Sequence, residues 1–172
     1  ARAPTAAAAA VAGRRVAELG AGTGLAGLAC AAAGASNVLL TDREERMDLL
    51  RRNARRNRWV CGLGACASVA CAVVDWGAPA EAFGGDDPVV KAFDAEVLVG
   101  TDLVHAEAQC EPLLRTVRAA LAAWPRCATL LWAQERHSAL ATARVGAGLK
   151  ELGFALETLR EVHNGFVVLA RR

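Results

Sequence analysis

The stretch Glu18-Leu19-Gly20-Ala21-Gly22-Thr23-Gly24 closes the short segment 15–19, apolar at Val16, Ala17 and Leu19, and leads into the Ala/Leu-rich run that follows. The expected local structure is a strand over 15–19, a glycine turn, and a helix over roughly 24–34 ended by Gly34. Glycine is needed where φ turns positive or where a ligand must approach the backbone. A strand, glycine turn and helix in this order place a nucleotide-like ligand over the carboxyl end of a parallel sheet.

The same alternation continues on both sides. Residues 5–13 read as the end of a helix, 37–41 as a second strand, and Asp42 as the cap of a helix over roughly 43–57. Residues 68–74 read as a third strand. Pro79, Gly84-Gly85 and Asp86-Asp87-Pro88 act as breakers and predict a loop over 76–91. A fourth strand is expected over 94–101, then a helix at about 109–123 stopping near Trp124-Pro125. A fifth strand over 128–133 and a helix over 138–152, closed by Gly153, follow. The tail differs, because 154–162 and 166–170 both read as strands with only His163-Asn164-Gly165 between them. Asn-Gly is the strongest short hairpin signal, so these two pair antiparallel. The pattern implies an α/β fold with a mainly parallel sheet and no second domain. Residues 1–172 are read as a single domain, with 1–14 the helical remnant of a longer N-terminal segment.

A chain of 172 residues with 54% hydrophobic and 22% charged residues can bury a sizeable core and is not disordered. A formal charge of +2 argues against a dedicated nucleic-acid binder. No apolar run reaches bilayer length, and residues 6–12 lack the makings of a signal peptide. Cys30, Cys61, Cys66, Cys71, Cys110 and Cys127 form no CxxC pair and read as small apolar residues in a reducing compartment. No metal site is expected, and the expected location is the cytoplasm, with the nucleus as the alternative. A monomer is the favoured state.

Which ligand the glycine turn holds is not decided by the glycines. Gly22-Thr23-Gly24-Leu25-Ala26-Gly27 also spells GxGxxG, and Asp42 lies 20 residues beyond Gly22, as in a dinucleotide fingerprint. Three features favour an adenosyl ligand bearing an amino acid. Glu18, two residues before Gly20, can meet an ammonium directly or through water, but would repel a pyrophosphate. Asp75-Trp76, after the third strand, offers an acid for an adenine amino group and a face for its ring. The terminal hairpin is foreign to the doubly wound dinucleotide pattern.

With those residues in view, the chain resembles the seven-stranded class I S-adenosylmethionine-dependent methyltransferases. Within them it is similar to the protein-lysine methyltransferase-like branch. The matching text is Glu-Leu-Gly-Ala-Gly-Thr-Gly-Leu at 18–25, Leu-Thr-Asp at 40–42, Leu-Leu-Arg-Arg-Asn-Ala-Arg-Arg-Asn at 49–57, Asp-Trp-Gly at 75–77 and Phe-Asp-Ala-Glu-Val-Leu-Val-Gly-Thr-Asp at 93–102. Gly153-Phe154 opens the sixth strand in the same way. The resemblance implies a Rossmann-like sheet of order 3-2-1-4-5-7-6 with strand seven antiparallel and helices on both faces. It implies S-adenosyl-L-methionine as cofactor and a protein side chain, lysine above all, as methyl acceptor. Methionine and ribose would lie near Gly20, Ala21, Gly22 and Gly24, with Glu18 toward the ammonium and Asp42 on the ribose hydroxyls. Asp75 and Trp76 would flank adenine, and Thr101 would line the cofactor pocket.

The family's acceptor motif, Asp-x-x-Tyr after strand four, here reads Asp102-Leu103-Val104-His105 in a chain with no tyrosine. Asp102 is the candidate to orient the acceptor amine, and His105 to orient it or take its proton. His137 and His163 sit in turn-like positions and read as solvated, while Glu135 and Arg136 fall near the cleft mouth. Asn53 and Asn57, one helical turn apart, are expected to make structural hydrogen bonds beneath the pocket. The arginines of 43–58 read as a solvated helix face. Besides lysine methylation, a small-molecule or other-residue methyltransferase and a catalytically silent binding module stay open.

Overall fold

The computed structural model describes residues 4–62, 66–135, 137–162 and 164–172. The first β-α unit forms as its sequence dictates: β1 (Arg15–Leu19), a glycine turn, and α2 (Leu25–Ala32), preceded by α1 (Ala6–Val11) with Thr5 as its N-cap. Then come β2 (Asn37–Asp42), a 3₁₀ turn at Glu44–Arg46 that runs into α3 (Met47–Arg56), and β3 (Ser68–Val73).

The segment 76–91, expected as a loop, instead folds as two short helices, α4 (Pro79–Gly84) and α5 (Pro88–Phe93). Each proline sits in the first turn, where its missing N–H has no helical partner to lose. Asp87 caps α5 by accepting from the Val89 and Val90 amides. Trp124 organises this corner from the other side. It is fully buried, donates its indole N–H to the Val90 carbonyl at 3.0 Å, and meets Phe83 and Phe93 edge-on. Asp94, expected in the fourth strand, takes a left-handed φ of 47° after α5 and bridges Arg15 and Arg126 at 3.0 and 2.8 Å. The strand itself, β4, spans Val97–Thr101.

The remaining elements are α6 (Cys110–Ala123), β5 (Thr129–Glu135), α7 (Ala139–Glu151, capped by Ser138), β6 (Ala155–Val162) and β7 (Gly165–Arg171). The sheet order is β3-β2-β1-β4-β5-β7-β6, with β7 antiparallel to both neighbours and the other pairings parallel. The direction of winding reverses between β1 and β4, which opens a crevice at their carboxyl ends.

Helices cover both faces, so the central strands are apolar on both sides. Ala17, Leu19 and Leu98 join a core with Leu113, Val117, Trp132 and Phe166. Their neighbours Val16, Val97 and Val99 point to the other face, packed with Val38, Leu40, Met47 and Leu50. Arg51, Arg52, Arg55 and Arg56 of α3 are exposed, as a solvated face requires. Among the described residues, no helix is long and apolar enough to cross a membrane.

The hairpin forms where Asn-Gly predicts it, but for another reason. Gly165 has no left-handed φ; it pairs with Val162 on one side and Glu135 on the other. A Cβ at this position would lie 2.5 Å from the Gln134 carbonyl oxygen, so glycine is needed for close strand approach. His163 and Arg136 lie outside the described residues.

Candidate functional site

The carboxyl ends of β1 to β4 frame a cavity of about 560 Å3, within the size range of ligand clefts. Its first wall is the glycine turn. Gly20 and Gly22 have φ of 61° and 54°, which exposes the backbone here. Gly20 is also crowded: a Cβ would come 3.1 Å from the Trp76 ring and 3.2 Å from Leu103. The turn is tied down by Ala21 N–H to the Thr41 carbonyl at 2.9 Å, and by Gly24 N–H to the Ala21 carbonyl at 2.7 Å. From α3, Asn53 donates to the Thr23 carbonyl at 3.0 Å, supporting the turn as expected; Asn57 instead bonds back to Asn53 within the helix.

Asp42, at the end of β2, does not cap the following helix. One carboxylate oxygen accepts from Gly22 N–H at 2.7 Å and the other from Arg43 N–H at 2.8 Å. Asp42 lines the cavity, and a carboxylate that accepts one bond on each oxygen keeps lone pairs for a ligand's hydroxyls. Asp75 and Trp76 enter from the end of β3, with Asp75 fixed by Gly77 N–H at 2.7 Å. Asp102, Leu103 and His105 enter from the end of β4.

Glu18 lies behind this wall. Only 1% exposed, it accepts from Gly27 N–H of α2 at 2.9 Å and does not line the cavity. Burial drives its carboxyl up to about 7; the Gly27 N–H opposes the rise and Asp42 adds to it. Ala21 and Gly24 are likewise buried in the turn. Thr101 faces a second cavity, of about 600 Å3, with Glu135, Asn164 and Phe166. Asp102 borders both cavities.

Asp102 adopts a left-handed φ of 54°, where Asp and Asn are enriched among side-chain-bearing residues. Its amide stays in the β4–β5 ladder, donating to the Ala133 carbonyl at 2.8 Å. Its carboxylate accepts from Gln134 at 2.9 Å. His137, read from sequence as solvated, is exposed, and its Nε2 lies 3.0 and 3.1 Å from the two Asp102 oxygens. His105 Nε2 is 3.9 Å from Asp102, and its ring lies 4.5 Å from that of His137. The His105 turn is held by Gln109, which accepts from the His105 and Ala106 amides at 2.7 and 3.0 Å. Gln134, His137 and Asn164 are the residues sequence reasoning passes over. Only Gln134, a polar residue directly after the apolar run 130–133 at a strand's carboxyl end, carries a signal in its own neighbourhood.

The chain is similar to known proteins over most of its length. It is 36% identical over 107 residues to the protein N-lysine methyltransferase METTL21A of Danio rerio, which is 61% of this chain and 43% of that protein. It is 35% identical over 101 residues to METTL21A of Xenopus tropicalis, 59% of this chain and 41% of that protein. The chain thus matches about two fifths of the length of these curated relatives. A TehB-like SAM-dependent methyltransferase from Corynebacterium glutamicum shares the fold with a TM-score of 0.61 at 18% identity, over 96% of this chain and 84% of that one. A family model described as lysine methyltransferase matches residues 3–142, and the chain belongs to that family.

Proposed function

We propose that this chain, acting as one domain over 1–172, transfers a methyl group from S-adenosyl-L-methionine to the side-chain amine of a protein lysine. The observation that carries the reading is Asp102, a carboxylate at the border between two cavities. The first cavity has the volume and the polar groups for the methyl donor. Gly20 and Gly22 let a ligand lie against the backbone, Asp42 faces ribose hydroxyls, and Asp75 with Trp76 suits an adenine amino group and ring. Glu18, buried behind the turn, holds the Gly27 N–H of α2 and so braces the turn on which the methionine moiety would lie.

The sulfonium of the donor supplies an activated methyl and a good leaving group. The protein's task is to position the acceptor and keep water away. The second cavity, bordered by Thr101, Glu135, Asn164 and Phe166, admits the acceptor: Phe166 covers its methylenes and Glu135 attracts its charge. Asp102 then accepts a hydrogen bond from the amine and aims its lone pair toward the first cavity. A lysine amine with a reference pKa of about 10.4 must lose a proton first. His105, exposed beside Asp102 and lining the first cavity, takes the place of the family's tyrosine as the base; His137 stands on the other side of the same carboxylate. The reading places the chain in the cytoplasm, where its six free thiols persist.

The test is incubation with methyl-labelled donor and a cell extract, followed by mass spectrometry of the labelled proteins. N-methyl-lysine on discrete proteins is expected. Label confined to small molecules, or to side chains other than lysine, would overturn the acceptor assignment.

A further inference from the structure

We infer that Asp102, His105 and His137 form a binding site for a single divalent transition-metal ion of the zinc type, where the two cavities meet. The three side chains come from the loop after β4 and the segment after β5. Each can offer a ligand atom, and these atoms all lie within 4.8 Å of one another. The Asp102 oxygens are 3.0 and 3.1 Å from His137 Nε2, and one of them is 3.9 Å from His105 Nε2. Metal–ligand bonds near 2.0–2.2 Å give ligand–ligand edges of about 2.9 Å in an octahedral shell and about 3.4 Å in a tetrahedral one. The two His137 separations lie between those edges, and the 3.9 Å separation exceeds both, so the His105 ring must swing toward Asp102 to close a shell.

The donor set selects the ion. Two imidazoles and one carboxylate suit zinc, cobalt, nickel or ferrous iron; magnesium and calcium prefer all-oxygen shells. The central ligand is held from behind. Gln134, 3% exposed, donates to Asp102 Oδ1 at 2.9 Å and is itself fixed by the Val104 backbone and the Trp132 indole. Such outer partners orient a metal-binding carboxylate. Glu135 stands 3.8 Å from His137 Nε2, and both cavities reach Asp102, leaving coordination positions open for water or a ligand. Because the ion occupies the carboxylate that the functional reading gives to the acceptor amine, the two would compete; the ion site itself does not depend on that reading.

The test reads the ion directly, with neither methyl donor nor acceptor present. Zinc chloride is titrated into the whole chain by calorimetry, and cobalt binding is followed by its visible absorption. Wild type is compared with His105→Ala, His137→Ala, and a Cys61→Ser/Cys66→Ser variant that removes a thiol pair whose sulfurs lie 3.7 Å apart. Circular dichroism checks that each variant is folded. One ion is expected in wild type and in the cysteine variant, unaffected by excess magnesium. Each histidine variant should bind at least about tenfold more weakly. The site is disproved by no binding at micromolar ion, by unchanged binding in the folded histidine variants, or by binding that disappears with the cysteines.

Discussion

Gln134 fastens Asp102 to the core: its amide nitrogen lies 2.9 Å from Asp102 Oδ1 and within 3.0 Å of the Val104 and Glu135 carbonyls. Its oxygen accepts from Val104 N–H and the Trp132 indole at 3.1 and 3.3 Å. Gln134→Leu keeps the volume and removes all of these bonds, which strands the Val104 amide and the Trp132 indole while Asp102 keeps His137. Each buried polar group left unpaired costs about 1–3 kcal/mol. Urea unfolding should therefore show a loss of about 2–4 kcal/mol, after discounting for groups that find water. A loss below about 0.5 kcal/mol, the range of ordinary surface substitutions, would mean that the network is not formed.

Asp102 separates a chemical role from a structural one. Its left-handed backbone is tolerated by Asn almost as well as by Asp. Asp102→Asn should unfold within about 1 kcal/mol of wild type, yet lose about a hundredfold or more in methyl transfer, the scale of a removed charge-orienting group. Asp102→Val adds a β-branched side chain at φ 54° and should also unfold earlier. Equal transfer by wild type and the Asn variant would remove Asp102 from the chemistry.

Glu18 makes stability depend on pH in a stated direction. Its folded-state pKa is raised to about 7 from 4.5, so the folded chain holds this proton longer than the unfolded one. Its contribution is most favourable below about 4.5 and is lost as pH rises through about 7. The full swing is on the order of 3 kcal/mol. Glu18→Gln can still accept the Gly27 N–H and carries no charge. Unfolding of the ligand-free proteins should show the variant gaining on wild type between these pH values. A difference that is flat with pH would show that Glu18 is not desolvated.

Gly165→Ala would place a Cβ 2.5 Å from the Gln134 carbonyl oxygen, against backbone that cannot swing aside. Forcing a methyl into that gap should cost about 1–3 kcal/mol in unfolding free energy. It should also lower acceptor-side activity more than donor binding, because Gly165 borders the second cavity only. A variant as stable as wild type would restore the plain turn reading of Asn164-Gly165.

Most of the architecture is legible because its signals are local. Segments 15–19 and 37–42 sit in a sheet covered on both faces, and neighbouring apolar residues such as Val16-Ala17 and Val38-Leu39-Leu40 say so. The glycine turn and the pair Asp75-Trp76 fall at strand ends, where ligands collect. Other features are ambiguous in one dimension. Pro79 and Pro88 read as breakers, yet proline starts a helix as well as it stops one. Asp42 has the residue type and place of a cap, and only the folded turn brings Gly22 N–H to it instead. His137 is 35 residues from Asp102, and the adjacency of β4 and β5 alone unites them. Glu18 lies behind the turn because burial on this central strand extends to its last residues.

The central claim is that the cavity framed by Gly22, Asp42, Asp75 and Trp76 takes the methyl donor. Calorimetry of wild type and Asp42→Ala with S-adenosylmethionine, S-adenosylhomocysteine and NAD tests it most directly. Wild type should bind the first two and not NAD, and Asp42→Ala should weaken both by about tenfold or more, as expected for a lost pair of hydroxyl contacts and the freed Gly22 amide. Binding of NAD in place of the sulfonium ligands, or donor binding untouched by Asp42→Ala, would contradict the account.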